Sequence, residues 1–222
     1  IPTHARIGLH PGELLHLSYG KSSIYRVLKQ RRADGNLQGG VVKIPVKLNS
    51  SAQRAGFHPD GSMYVLGFRG WQTNAATEAA FHRIRHVADS TKPLPDALSV
   101  SKKGISLRFE TKLDEELATD PTSFTIEKWN YVRGPQYGSG EFSIDNPDKE
   151  MEEIALKKES KRHRAHDKVT VTTAKLQPDG KTILIECKNL TVADQMTITY
   201  DLETEDGDIL VGTVVNTVHE LR

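Results

Sequence analysis

Asp60-Gly61-Ser62-Met63-Tyr64-Val65-Leu66-Gly67-Phe68 is the stretch on which the reading of this chain turns. Asp-Gly tolerates a positive φ and closes tight hairpins, and the run after it is short, β-branched or aromatic, and bounded by turns, as a strand is. Neither side of that run is polar, because Met63, Val65 and Gly67 alternate with Tyr64, Leu66 and Phe68. Such a strand is expected between two covering layers. The same dipeptide recurs at Asp34-Gly35, Asp179-Gly180 and Asp206-Gly207, with further β-type runs at Thr182 to Cys187 and Ile209 to Val215. The chain reads as mostly antiparallel β.

Outward from residue 60, the first 90 residues divide into strand-length pieces: Glu13 to Tyr19, Ser22 to Lys29, Gly40 to Leu48, Ala52 to Phe57, Ser62 to Phe68 and Phe81 to Val87. In the third of these, Val42, Ile44, Val46 and Leu48 share one side and Lys43, Pro45 and Lys47 the other. Proline cannot donate to a ladder and lysine blunts an exposed edge, so this strand is expected at the outside of its sheet. An inner strand, middle strands and a Lys/Pro-bearing outer strand are what a propeller blade requires. The first three pieces read as one partial blade and the last three as a second. Two partial blades cannot close a ring, so their apolar strands need neighbours from elsewhere.

Thr91-Lys92-Pro93-Leu94-Pro95 is extended and interrupts the pattern, which sets a boundary near residue 92. Beyond it, Ile105, Leu107 and Phe109 alternate with polar residues, Leu113 to Thr119 reads as a short acidic helical turn, and Val169, Val171, Ile183, Ile185, Ile198, Tyr200 and Leu210 continue the β pattern. About seven short strands over this length suggest a sandwich of immunoglobulin type. Asn146 as cap, Pro147 at the first helical position and the Glu/Lys-rich run after them predict a surface helix. The expected fold is therefore all-β: partial β-propeller blades over residues 1–91, then an Ig-like antiparallel β-sandwich over 92–222 with a helical insertion near 146–166.

Composition narrows the function classes. The chain has 222 residues, with 30 Lys plus Arg against 29 Asp plus Glu, a net charge of +1, and a single Cys. That balance supplies no overall field for steering nucleic acid, so none is expected as a partner. One cysteine excludes an internal disulfide framework, a CxxC redox pair and a c-type haem attachment motif. No run of 18 apolar residues exists, so no membrane span is expected. The opening Ile1-Pro2-Thr3-His4 is neither signal peptide nor transit peptide, and without an initiator Met it reads as a processed or truncated chain.

A family resemblance rests on four groups of residues. These are His10-Pro11-Gly12-Glu13-Leu14-Leu15-His16-Leu17-Ser18-Tyr19-Gly20-Lys21-Ser22-Ser23; the pair Gln38-Gly39-Gly40; Phe57-His58-Pro59-Asp60-Gly61-Ser62-Met63-Tyr64-Val65 with Gly70-Trp71-Gln72-Thr73; and Trp129-Asn130-Tyr131 with Tyr137-Gly138-Ser139. Together they resemble the C-terminal part of large exported proteins of planctomycete and verrucomicrobial bacteria, in which a propeller similar to glucose/sorbosone dehydrogenases is linked to a cytochrome c domain. The resemblance runs over nearly the whole chain. It implies the last propeller portion and an Ig-like domain of a periplasmic or extracellular protein that oxidises a sugar or alcohol. It also implies pyrroloquinoline quinone, calcium or haem c in the parent protein, none of them held by this chain. The remaining blades, or other chains of the parent assembly, are the implied partners. No catalytic residue can be matched to this chain, and the Cys-x-x-Cys-His signature is absent from it.

Several residues are candidates for chemistry. Trp71 and Trp129, with Tyr131 and Tyr137, sit among permissive glycines, and such loops form platforms for sugar rings; the alternative is that the rings seal a joint between domains. Arg54, on what would be an innermost strand, and His10 and His58, at strand ends, are the residues placed to face a propeller's central channel. Arg54 would otherwise pair with a neighbouring carboxylate. His82 and His86 share one side of a strand but make an incomplete metal site. His163 and His166 fall in a basic run that reads as a solvated insertion. Asp201-x-Glu203-x-Glu205-Asp206-Gly207 lacks the spacing of a calcium loop and reads as a hairpin tip. Two functions follow: a structural and docking segment of a dehydrogenase-like protein, or a non-catalytic module that binds carbohydrate or protein.

Overall fold

The computed structural model describes residues 1–87, 93–132, 138–147, 154, 157 and 160–222. They fall into two compact units, Ile1–Leu28 with Val41–Leu94, and Lys29–Gly40 with Pro95–Arg222. Both are built of antiparallel β-strands, so the all-β reading of the sequence holds.

In the first unit, β1 (Leu14–Ser18) pairs with β2 (Ser23–Arg31), Leu14 opposite Val27 and Ser18 opposite Ser23. A three-stranded meander follows: β4 (Arg54–Phe57), β5 (Met63–Phe68) and β6 (Ala79–Ile84). Its turn is the Asp60-Gly61 pair. Gly61 has φ +88°, and a Cβ there would lie 2.6 Å from Arg6 Cγ, so glycine is required both by conformation and by space. Met63 and Val65 are buried with Ile24, Leu48 and Ala52 in a core against which Ile7, Ile44 and Ile84 pack. Burying each large apolar side chain contributes about 1.5–3 kcal/mol, and this is what orders the unit.

The second unit is a two-layer sandwich. Its strands are β7 (Pro95–Ser101), β8 (Gly104–Phe109), β9 (Phe124–Tyr131), β10 (Glu141–Phe142), β11 (Asp167–Leu176), β12 (Thr182–Lys188), β13 (Ala193–Glu203) and β14 (Ile209–Val218). One layer runs β14-β13-β9-β11 and the other β11-β12-β8-β7. β11 belongs to both: Asp167 to Val169 pair with β9, Thr170 to Leu176 pair with β12, and the register shifts between Val171 and Thr173. An irregularity of that kind bends a strand, which lets one strand turn the corner between layers. Ile126, Met196, Ile198 and Tyr200 from the first layer meet Ile105, Leu107, Phe109, Ile183 and Ile185 from the second, all buried. The Phe109 and Tyr200 rings touch edge to face, 5.3 Å between centroids. The acidic turn predicted at Leu113 to Thr119 is helix α1 (Glu115–Thr119), capped by Asp114, whose carboxylate accepts from the Leu117 N–H at 2.9 Å.

Three expectations change. The strand predicted over Gly40 to Leu48 is β3 (Leu37–Lys43), which starts earlier and stops before Pro45. The alternation was sound, since Val42 and Leu48 are buried while Lys43, Pro45 and Lys47 are exposed. Pro45 has no N–H to continue a ladder, so it ends the strand where the sequence reading had it mark an edge. Over Leu37 to Gly40 β3 lies beside β14, and a Cβ on Gly40 would come 2.5 Å from the Val215 carbonyl oxygen. Secondly, residues 29–40, read from sequence with the first domain, count with the second unit. Gln30 both donates to and accepts from the Val100 backbone (3.0 and 2.9 Å), and Gln38 accepts from the His219 and Glu220 N–H groups at 2.9 Å. Thirdly, most of the helix predicted near 146–166 lies outside the described residues, as does the boundary at 91/92; Ser160–Arg162 form a single 3-10 turn.

Polar groups buried in the sandwich are met by fixed partners. The Lys128 ammonium, 0% exposed, donates to Asp145 (2.6 Å), the Asn189 carbonyl (2.5 Å) and the Thr191 hydroxyl (3.2 Å). Burial works to raise the Asp167 carboxyl, but the Ser143 hydroxyl and the Asp145 and Ile144 N–H groups outweigh it and leave the group below its usual range. Removing one partner of a buried pair strands the other, so Lys128→Ala is expected to lower stability by about 3 kcal/mol or more in urea unfolding. A loss under about 1 kcal/mol would contradict the role given to this contact. Burial pushes the Cys187 thiol up to about 11. At pH 8 it should therefore react with a disulfide reagent on the order of 100-fold more slowly than in the urea-unfolded chain, and equal rates would contradict its burial.

Candidate docking face

Antiparallel register places directly opposed residues on the same side of a sheet. Arg54 opposes Leu66 and Leu66 opposes Phe81; Gly56 opposes Tyr64 and Tyr64 opposes Arg83; Phe68 opposes Ala79. One face of β4-β5-β6 thus carries Arg54, Tyr64, Leu66, Phe68, Phe81 and Arg83. The other carries Phe57, Met63, Val65 and Ile84, which close the core of the unit.

The first of these faces lies open. Leu66 is 44%, Phe68 48% and Phe81 67% exposed. Tyr64 and Phe81 stack with centroids 5.2 Å apart and planes 21° apart, and the Arg83 guanidinium lies 6.0 Å from the Tyr64 centroid. Phe68 meets the Tyr19 ring edge to face at 6.0 Å. Scattered exposed apolar side chains are ordinary on a protein surface, but a contiguous aromatic and aliphatic patch rimmed by cations is a site for contact. Arg83 also donates to Asp60 (2.6 Å) and to the Ser62 hydroxyl (3.0 Å), tying the Asp60-Gly61 turn to β6.

The residues singled out from the sequence are spread over both units. Arg54 is exposed at the start of edge strand β4, and its guanidinium donates to the Gln53 carbonyl at 3.0 Å. His58, at the other end of β4, touches the Tyr64 ring edge to face at 6.0 Å, so Arg54 and His58 border the open face. Trp71, 72% exposed, follows that face on the loop after β5. His10 lies elsewhere and is exposed, its N–H donating to Glu13. In the second unit Trp129 is buried on β9, with His166 stacked against it at 3.9 Å and 8°. Tyr131 is exposed and its hydroxyl bonds Gln195 at 3.1 Å. Tyr137 lies outside the described residues.

Sequence reasoning missed two groups. His166, read as part of a solvated insertion, is instead held between Glu141 (2.5 Å) and Glu127 (3.2 Å) while covering one face of Trp129, and the Arg164 guanidinium also pairs with Glu141 at 3.1 Å. Its partners are 25 and 39 residues away, so no local spacing could announce them. The Trp129 face that a sugar would need is thereby occupied on one side. The other missed group is the aromatic stack of the first unit. Its signal was present in β5 as a strand with no polar side, but the sequence could not say which side would stay uncovered.

No protein-family model matches the chain, and a search of curated proteins returned no match. Among the described residues no three His, Cys, Asp or Glu side chains converge to hold a metal ion.

The turn that presents the open face is sensitive to acid. The Ser62 N–H, donating at 2.8 Å, with help from the Ser62 hydroxyl and His58, holds the Asp60 carboxyl down at about 2. A carboxyl depressed in the folded state stabilises fully above its unfolded value near 4, and that contribution is lost as pH falls through 2. The urea midpoint of the chain should fall more steeply between pH 4 and pH 2 than that of Asp60→Asn. Parallel acid limbs for the two proteins would remove Asp60 from this account.

Proposed function

We propose that the chain is the structural and docking end of an exported sugar- or alcohol-dehydrogenase-like propeller protein linked to electron transfer, acting in the periplasm or outside the cell. The observation that carries this reading is the half-covered meander: β4-β5-β6 buries one face in its own unit and leaves Leu66, Phe68 and Phe81 exposed beside the half-buried Tyr64. A propeller blade has this form when its neighbour is missing, since each blade's sheet is covered on both sides by the next ones. The sequence resemblance supplies the rest. The occupant we assign to the open face is a further β-sheet of the same assembly, its apolar side meeting the aromatic stack and its acidic groups meeting Arg54 and Arg83.

Among the described residues no site is assembled for the haem c or the calcium that the resemblance implies. Attachment of haem c through two cysteines is ruled out by the single Cys187. Calcium needs about six or more oxygen ligands, and the described residues bring no such cluster together. Pyrroloquinoline quinone, calcium and haem c therefore belong, in this proposal, to other segments, and this chain's share is to complete and seal the ring. A carbohydrate-binding role is the rival, carried by Trp71 beside the open face.

The full-length protein, supplied with the quinone and calcium, is expected to reduce an artificial electron acceptor with sugars or alcohols. Phe81→Glu should lower its thermal midpoint by several degrees more than that of the 222-residue chain, where Phe81 is largely exposed and loses only its stack on Tyr64. No turnover by the full-length protein, or a Phe81→Glu variant as stable as the parent, would overturn the proposal. Saturable glycan binding by the chain that Trp71→Ala abolishes would put the binding module in its place.

A further inference from the structure

We infer that the first unit carries a second site, a cavity that takes an apolar chain ending in a carboxylate. The cavity has a volume of about 370 Å³ and lies on the covered side of β5, with Ile24 and Met63 among its lining, Ile7, Ile44 and Ile84 around them, and Arg85 and His86 at its rim. None of the side chains of the open aromatic face lines it, so the two sites use opposite sides of one sheet. The inference stands apart from the dehydrogenase reading.

Three observations point to the ligand. First, the volume is that of a small-molecule site, with space for about a dozen water-sized groups at roughly 30 Å³ each, which suits a chain of about eight to ten carbons. Secondly, the walls are aliphatic and thioether side chains, and a cavity lined in this way favours apolar matter over water. Thirdly, the charge at the rim has one sign. Among the described residues no Asp or Glu lines the cavity, and the exposed Arg85 has no carboxylate partner among them. A guanidinium presents paired donors that match a carboxylate's two oxygens. His86 stands beside it with its ring set against Gly8, where a Cβ would come within 2.6 Å of the imidazole, and its backbone N–H donates to the Arg6 carbonyl at 3.2 Å. Methyl groups below and two nitrogen-bearing side chains at the rim select an acyl chain by its length and its head group.

Titration of the chain with sodium decanoate, decanol and decyltrimethylammonium, followed by methyl NMR, tests this. Decanoate should bind once per chain, shift the methyl signals of Ile44, Ile84 and Met63, and bind about ten-fold more tightly than decanol, with the ammonium weakest. Arg85→Gln should remove about that ten-fold advantage and leave decanol binding as it was. Ile44→Trp, which fills the cavity, should abolish binding of all three. Shifts centred on Leu66 instead would mean adsorption on the open face and would overturn the inference, as would an Arg85→Gln variant that binds decanoate like the parent, or no saturable binding at all. Should Ile44→Trp fail to fold, the Arg85→Gln comparison decides alone.

Discussion

A β-strand that is apolar on both sides leaves half its side chains in water unless two layers cover it. β5 is such a strand, and only one layer covers it within its unit. The covered side, Met63 and Val65, closes the core on Ile24, Leu48 and Ala52. The uncovered side presents Leu66 and Phe68, and Phe81 across the register completes an aromatic and aliphatic patch. Each aromatic ring of this kind removes about 150–250 Å² from water when it is covered, so the unfilled side represents a large reserve of association energy. Everything functional proposed for the first unit comes from this asymmetry: one face invites another sheet, and the opposite one shelters a cavity.

The second unit obeys a different constraint, the cost of burying polar groups without partners. Lys128 is wholly buried and its side-chain nitrogen donates to three oxygen acceptors, one of them on Asp145. The segment that supplies Asp145 is held in turn by Asp167, which collects the Ile144 and Asp145 N–H groups. Next to this network the His166 ring lies flat on Trp129 between two carboxylates. These contacts fasten β9, β10 and β11 to one another.

How much of this could be read beforehand follows from which interactions are local. Asp60-Gly61, Asp179-Gly180 and Asp206-Gly207 were legible because a tight turn is encoded in two adjacent residues, and all three glycines have positive φ. The alternation of Val42 to Leu48 was legible too, since burial tracks side-chain direction even past the last ladder bond. The register was less so: Pro45 marked the end of β3, and the partner beyond Gly40, β14, comes some 170 residues later in the chain. Of the residues singled out from the sequence, Arg54, His58 and Trp71 border the open face, while Leu66 and Phe81, which form its centre, were read as ordinary strand residues. A one-dimensional pattern shows that a strand has two apolar sides, and it contains nothing about which of them the fold leaves bare. His166 was missed for the related reason that its meaning lies in Glu127, Trp129 and Glu141, all distant from it in sequence.

The most direct test of the central claim is the accessibility of the β5 outer face in two settings. A Leu66→Cys variant can be labelled with a hydrophilic maleimide under native conditions, because burial keeps the one natural thiol, Cys187, nearly silent. The account predicts prompt labelling of position 66 in the 222-residue chain and labelling slowed ten-fold or more in the proposed parent assembly, through the further sheet assigned to this face. Equal labelling in both would show that nothing docks on this face.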